Sequence, residues 1–446
     1  MSLWLGLAAL LAWAVLLLGR GFFWLARDDD SDAAALPVPA AWPAVVAVVP
    51  ARDEAATIGE TVRSLLAQDY PGEFRLVVVD DRSTDGTGEV ARAAGDERLA
   101  VLRGGAREPG WTGKLWALEQ GVRWVVADSA ASVRSPGSPP LAAPAPPPRW
   151  TQRVHPPASE AAADASLPRP AGEGGGGHAG GDGRPDAGSA APPPYLLFTD
   201  ADIRHAPDSL RRLVQRALAG RLVLVSLMAK LRCESPAERW LIPAFIFFFQ
   251  MLYPFRWARD PAARTAAAAG GCVLLDRAAF ARAGGLAGIR GALIDDCALA
   301  AEMKRQGPIW VGLTERVESL RPYETVGPIR RMVARTAYAQ LRYNPLLLAG
   351  MLLALALVFL APPLLALFAG GAPALLGAAA WAAMVLAYAP TLRRFGLSAA
   401  RGLALPGIAA AYMAFTLNSA LAEWCGRGGM WKGEAGPRAD RPAGPG

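Results

Sequence analysis

The sequence predicts an α/β protein, a mostly parallel, doubly wound sheet lying between apolar ends that cross a membrane. Three observations carry this. From residue 44 onward, short β-rich apolar runs alternate with helix-period segments. One of these runs, YLLF at 195–198, stops abruptly at Asp200 and Asp202. The chain is 52% hydrophobic with a mean hydropathy of +0.22, and the apolar excess gathers at the two ends.

The bulk numbers narrow the class. At 446 residues there is room for more than one domain, or for one domain with membrane segments. A net charge of +7 without a basic stripe interleaved with aromatics argues against nucleic acid and suits loops facing anionic lipid. The four cysteines contain no C-x-x-C pair, which argues against a disulfide framework or a zinc site.

Residues 3–18 are apolar, Arg20 interrupts, and 22–25 continue the run. No basic region precedes it and no small-residue cleavage site follows, so residues 1–27 are expected to form an N-terminal transmembrane anchor. Arg20 and Arg27 then place the main body in the cytoplasm, although Asp28, Asp29 and Asp30 weaken the count. Residues 32–43 read as an Ala/Pro linker.

The first strand is expected at 44–49, followed by PARDEAATIGETVRSLLAQ, where Ile58, Val62, Leu65 and Leu66 share one helical face. A second strand at 74–79 runs into DDRSTDGT, a short helix covers 89–94, and a third strand covers 99–102. GWTGKLWALEQGV starts a helix with Thr112 as its N-cap. Residues 128–194 turn to Pro, Ala, Gly and Ser and lose apolar periodicity, which predicts a disordered insertion. Without it, the body at 43–343 shrinks to roughly 240 residues, a single-domain size.

After Asp202, a helix is expected at 207–219 and a strand at 222–228. Residues 240–255 read either as an interfacial segment or as a buried core helix. A strand at 270–275, a helix opening at Asp295 and Asp296, a strand at 309–313 and a basic helix at 328–343 follow. Three apolar stretches within 344–422 read as transmembrane helices. The basic loop TLRRFGLSAAR between the second and third should be cytoplasmic, which agrees with the placement of the body. Residues 423–446 read as a disordered tail. It would lie outside, although it carries Arg427, Lys432, Arg438 and Arg441.

Some chemistry can be read directly. Carboxylates at i and i+2 on a chain leaving a strand can turn toward one divalent cation, and hard oxygen ligands suit Mg²⁺ or Mn²⁺; a capped turn is the alternative. Pro50, Ala51, Arg52 and Glu54 leave the first strand where main chain and guanidinium can hold a nucleotide. Lys114, at a helix start, suits a diphosphate; a solvated lysine is the alternative. Asp295 and Asp296 would also suit a helix N-terminus with no chemical role.

PARDEAATI, VVDDRSTDGT, TDAD and IDDCAL, in that order, resemble the family 2 glycosyltransferases of GT-A fold. With GWTGKLWAL, GGCVLLDR and ARTAYAQLRY ahead of C-terminal spans, the layout is most similar to the hopene-associated glycosyltransferases. The resemblance covers about residues 1–425 apart from the insertion. It implies a GT-A nucleotide-diphospho-sugar transferase fold and an inverting transfer of sugar, from a UDP-sugar in the first instance, to a lipid acceptor such as a hopanoid. It also implies a bacterial inner-membrane location. It assigns Asp81 to the base or ribose, Asp200 and Asp202 to the metal bridging the diphosphate, and Asp296 to the general base, with Asp295 supporting it. QLRY at 340–343 matches the Q-x-x-R-W motif of processive members only loosely, which argues against polymer synthesis. A ceramide-glucosyltransferase-like or polyprenyl-phosphate sugar transferase, and a non-catalytic membrane scaffold, are the competing readings.

Overall fold

The structure, a computed structural model, describes residues 1–132, 193–425, 430–431 and 434–435. The expected insertion at 128–194 and tail at 423–446 fall largely outside the described residues. Residues 1–126 and the described residues from 193 onward form one compact unit; of the second, 127–192, the described part is 127–132, the end of the helix Gly113–Ser132.

Eight strands form one sheet: β1 (Val45–Ala51), β2 (Phe74–Asp80), β3 (Leu99–Arg103), β4 (Tyr195–Thr199), β5 (Ile203–His205), β6 (Leu224–Lys230), β7 (Cys272–Asp276) and β8 (Ile309–Ser319). Their order is β3-β2-β1-β4-β7-β6-β8-β5. Every residue of β1 is buried, and its alternation sorts two cores. Val45, Ala47 and Val49 face the layer containing the helices Ile58–Leu66 and Ser209–Gly220. Val46 and Val48 face Leu115 and Trp116 of Gly113–Ser132 and Leu299 of the helix Asp295–Lys304. Burying a side chain of this size contributes about 1.5–3 kcal/mol, so a one-residue slip of β1 would exchange both faces and is strongly disfavoured.

Two expectations need correction. The sheet is mixed and not mostly parallel. β1–β2, β2–β3, β1–β4 and β6–β8 are parallel, whereas β4–β7, β6–β7 and β5–β8 are antiparallel. A buried apolar run looks alike in either direction. Direction follows from where the chain re-enters the sheet: β7 starts beside the carboxyl end of β4, pairing Cys272 with Thr199, and must run back.

The second correction concerns the N-terminus. The apolar helix there is Ser2–Leu18, only 17 residues long. At 1.5 Å per residue that is about 26 Å, short of a bilayer core of about 30 Å. The chain leaves the helix through left-handed residues, Gly21 (φ 66°) and Phe22 (φ 54°), so residues 22–25 do not extend it. The helix packs on other helices: buried Trp13 donates its ring N–H to the Val358 carbonyl at 2.8 Å.

Among the described residues three helices are long and apolar enough to cross a membrane: Pro345–Phe368, Gly371–Arg394 and Ala399–Trp424. The chain is thus a multi-pass membrane protein. Leu346, Leu353, Leu367 and Leu375 are exposed on these helices, as lipid-facing side chains are. The first two helices approach closely at Gly377, where a Cβ would stand 2.7 Å from the Pro362 carbonyl and the Ala366 nitrogen. The segment at 240–255 belongs mostly to the helix Pro236–Leu252, started by a capping box between Ser235 and Glu238. Its Phe247 lies 5.2 Å from Tyr388 of the second span, and its Leu241 carbonyl accepts the Tyr412 hydroxyl of the third at 2.8 Å.

The acidic run after the first helix has a structural purpose invisible in the charge count. Asp28 pairs with Arg259 at 3.0 Å, Asp30 with Arg316 at 3.3 Å, and Asp32 with Arg216. Asp29 pairs at 3.2 Å with Arg394, at the end of the second span. Arg394 also reaches Glu315 of β8 at 3.1 Å. The basic loop between the second and third spans therefore touches the α/β body.

His205, in β5, is buried between Thr199 Oγ1 (2.9 Å) and Ser209 Oγ (3.4 Å). Burial pushes its pKa down to about 4. An unfolded histidine titrates near 6.5, so between these values the unfolded chain binds the extra proton and stability falls as pH falls. The loss should begin near pH 6.5, be complete below about pH 4, and amount to roughly 3 kcal/mol. Melting temperatures in detergent at pH 7 and pH 4 should therefore drop further for the wild type than for His205→Gln. Equal drops would show that another group dominates.

Candidate active site

β1 pairs in parallel with both β2 and β4, so the carboxyl ends of all three lie side by side. The strand order reverses at the β1–β4 boundary, the kind of crevice where open α/β sheets bind ligands. The loops leaving β1 and β2 are laced together. The Asp53 N–H donates to Ser83 Oγ (3.0 Å), the Thr84 N–H to the Asp53 carboxylate (2.9 Å), the Glu54 N–H to Thr87 Oγ1 (2.8 Å), and the Ala55 N–H to Asp85 (2.9 Å). Asp53 and Arg82 take left-handed conformations to do so.

Asp81 is buried at the end of β2. Its N–H donates to the Ala51 carbonyl at 2.8 Å, and its carboxylate lies 3.3 Å from both Arg52 and Arg82. Ala51, Arg52 and Asp81, expected at the nucleotide, thus form one cluster. Pro50 instead lines an adjoining recess with Lys114, Thr199, Asp200, Gly270, Asp295 and Asp296. The recess therefore unites the chemistry expected at a metal, a diphosphate and a base.

Lys114 is the centre of the recess. Thr112 Oγ1 accepts the Leu115 N–H at 3.4 Å and caps the helix, which sets Lys114 in its first turn. Its ammonium lies 2.8 Å from Asp200 and 3.5 Å from Asp295. Burial alone would lower the lysine pKa, but Asp200 and Asp295 outweigh it and hold the ammonium above its ordinary range. Asp200 is raised by burial and by Asp202, against the pull of Lys114.

Asp202 turns to a different cation. Arg321, just past β8, lies 2.6 Å from Asp202 and also binds Glu54. Arg321 carries no local signal in the sequence; it follows a strand end 119 residues from its partner. The protein alone thus leaves the two carboxylates of D-x-D on separate counter-ions. Among the described residues, no group of three His, Cys, Asp or Glu side chains is placed to hold a metal. Mg²⁺ and Mn²⁺, however, are usually held by one or two carboxylates with phosphates completing the shell. Glu54, Asp200, Asp202, Asp295 and Asp296, five carboxylates, gather around the two cations Lys114 and Arg321. Hard oxygens in excess of positive charge fit a divalent cation.

Asp296 accepts two backbone N–H groups, from Gly270 at 3.0 Å and Cys297 at 2.7 Å. Burial, then the neighbouring Asp295, push its pKa up to about 6, with Lys114 opposing. A side chain at Gly270 would put a Cβ 3.0 Å from the Lys114 ammonium, so glycine permits the antiparallel β7 to start against this site. Beyond Asp296, the Tyr253 hydroxyl donates to Gln340 Oε1 at 2.8 Å and lies within hydrogen-bonding range of the Cys297 thiol. The QLRY motif thus meets the site through Gln340, while Tyr343 stacks edge-on with Tyr338 at 5.7 Å.

Residues 186–425 match the family described as Glycosyl transferase family 21, and residues 46–130 the one described as Glycosyl transferase family 2. No curated protein sequence matches the chain. Solved structures are similar at low identity. A mannosyltransferase from Pyrobaculum calidifontis, in complex with GDP-Man and Mn²⁺, is 18% identical with a TM-score of 0.47, covering 94% of this chain and 99% of that one. Mannosyl-3-phosphoglycerate synthase from Rubrobacter xylanophilus is 15% identical with a TM-score of 0.33, covering 71% and 75%. Glucosyl-3-phosphoglycerate synthase from M. tuberculosis is 17% identical with a TM-score of 0.33, covering 67% and 80%.

Proposed function

Because the chain belongs to glycosyl transferase family 21, we propose that it moves a sugar from a nucleoside-diphosphate sugar to a membrane lipid, a hopanoid, with inversion at the anomeric carbon. The observation that carries the reading is the single recess in which Lys114 joins Asp200 to Asp295 and Asp296 stands beside them. A scaffold that performs no chemistry has no use for clustered, mutually repelling carboxylates.

In this reading Arg52 and Asp81 hold the nucleoside, with the main chain at Pro50 and Ala51 beside it and Glu54 held by Arg321. Lys114 faces the diphosphate. When bound, Mg²⁺ or Mn²⁺ would neutralise the charge of the departing diphosphate, with Asp200 and Asp202 as its protein ligands. The acceptor hydroxyl oxygen attacks the anomeric carbon, the bond from that carbon to the phosphate oxygen breaks, and the nucleoside diphosphate leaves with the electron pair. Asp296 takes the hydroxyl proton. A pKa near 6 leaves it ionised at neutral pH yet basic enough for that task, and its two backbone hydrogen bonds fix its direction. Asp295, tied to Lys114, orients the pair.

The contact of Arg394 with Asp29 and Glu315 supports a cytoplasmic α/β body, since the basic loop that carries Arg394 and Arg401 belongs on the cytoplasmic side. The membrane in this reading is the bacterial inner membrane. Membranes containing the protein, given radiolabelled UDP- and GDP-sugars with hopanoid, ceramide or polyprenyl phosphate, should place label in the organic extract with the hopanoid. Label with another lipid would reassign the acceptor. Label released only as free sugar, with every acceptor and both donor series, would remove the transfer reading.

A further inference from the structure

Arg321 joins a carboxylate of the D-x-D pair to one on the nucleotide loop, and the transfer reading uses it only to hold Glu54. Its Nε lies 2.6 Å from Asp202, and a second guanidinium nitrogen binds Glu54. The main chain around it is fixed without help from the side chain. The Leu320 N–H donates to the Asp202 carbonyl at 2.8 Å. The Tyr323 N–H donates to buried Glu238 at 2.6 Å, and the Tyr323 carbonyl accepts the Ser235 hydroxyl at 2.9 Å. Ser235 and Glu238 are the capping box that starts the helix Pro236–Leu252. The backbone at 320–323 is thus held between Asp202 and that helix, and the long side chain of Arg321 is the part left to move.

Its two carboxylates differ in what else they can do. Glu54 is tied down: its N–H donates to Thr87 Oγ1 at 2.8 Å and its carboxylate accepts the Thr57 hydroxyl at 3.3 Å. Asp202 is buried, so a charge beside it is screened less than at a surface. A guanidinium and a divalent cation at one carboxylate repel each other, and each weakens the binding of the other. Phosphate reverses this. A diphosphate brings oxygens onto which a guanidinium forks, so the charge that opposes the cation alone is neutralised when phosphates accompany it.

We propose that Arg321 makes divalent-cation binding at Asp202 conditional on the donor diphosphate: it competes with the cation for Asp202 and passes to phosphate oxygens when they arrive, with Glu54 keeping it within reach. The consequence is an order of binding. Cation and nucleoside diphosphate enter together, and a cation held by the carboxylates alone is disfavoured. A purely orienting role for Arg321 makes the opposite prediction, because removing a partner that aims a metal ligand lowers metal affinity by roughly 10–100-fold. The inference rests on the metal and donor reading given above.

The test uses the full chain in detergent and titrates Mn²⁺, reading the free ion by electron paramagnetic resonance, with no nucleotide, with UDP and with GDP. Nothing turns over in any arm. Arg321→Gln should bind Mn²⁺ alone roughly tenfold or more tighter than the wild type, the scale of one hydrogen bond to a charged group. With the nucleoside diphosphate that binds, the gain should disappear, because the wild-type guanidinium then has phosphate as its partner. Arg321→Lys keeps the charge and should stay near the wild type with Mn²⁺ alone. Arg321→Met keeps the apolar stem and takes the place of the glutamine variant if that one fails to fold. Unchanged or weaker binding of Mn²⁺ alone by the folded variant, or a gain that persists undiminished with nucleotide, would overturn the proposal and leave the metal reading standing. Mn²⁺ bound by neither wild type nor variant in any arm would remove the proposal and the metal at Asp200 and Asp202 together.

Discussion

Replacing Asp296 by Asn is expected to lower kcat by roughly 10²–10⁴-fold, the range that a positioned general base supplies, while donor and Mn²⁺ binding stay close to wild type. The substitution keeps the shape and one oxygen, so it can still accept from Gly270 or Cys297 but not from both. It removes the ability to take a proton together with one of these two backbone hydrogen bonds. Asp295→Asn should cost less, because Asp295 acts through Lys114 and that ammonium keeps Asp200 at 2.8 Å. Calorimetry with the donor nucleotide and a single-turnover assay separate the two effects. If Asp296→Asn loses donor binding as badly as Asp202→Asn, or transfers at nearly the wild-type rate, Asp295 becomes the better base.

Asp200→Asn and Asp202→Asn should each reduce activity by at least roughly 10²-fold, comparable to removing an electrostatic stabiliser of a developing charge. The two variants should differ in detail. Asp200→Asn leaves Lys114 with Asp295 as its remaining close carboxylate, while Asp202→Asn leaves Arg321 held by Glu54 alone. Both should weaken Mn²⁺ binding, measured by titration with no sugar donor turning over. Full wild-type activity in excess chelator, with metal analysis showing none carried over, would remove the basis for a metal at this pair.

Much of the site was legible because its signals are local. A buried run ending in two carboxylates, a capped helix start bearing a lysine, and an acidic pair opening a late helix each occupy a few consecutive residues. All of them sit where those patterns predict: Asp200 just past β4, Lys114 in the first turn after Thr112, and Asp295 and Asp296 at the start of their helix. The three C-terminal spans were equally readable, since 24 or more residues of mostly apolar helix leave little choice of environment.

The sequence by itself determined the order of the elements, which faces of the strands and helices are apolar, and the residue types available for chemistry. Only the tertiary structure decided the direction of β7, the short N-terminal helix, and the partners of charged groups. Strand direction is not encoded in a period of two; it depends on which end of the sheet the chain returns to, and here that return sets Gly270 against Lys114 and Asp296. Helix length depends on left-handed turns at Gly21 and Phe22 that hydropathy does not register. Arg321 meets Asp202 across 119 residues and Arg394 meets Asp29 across 365. No pattern of nearby residues specifies such pairs, because a charge is stabilised by whatever folding carries within a few ångströms of it, and that is settled by packing the apolar faces first.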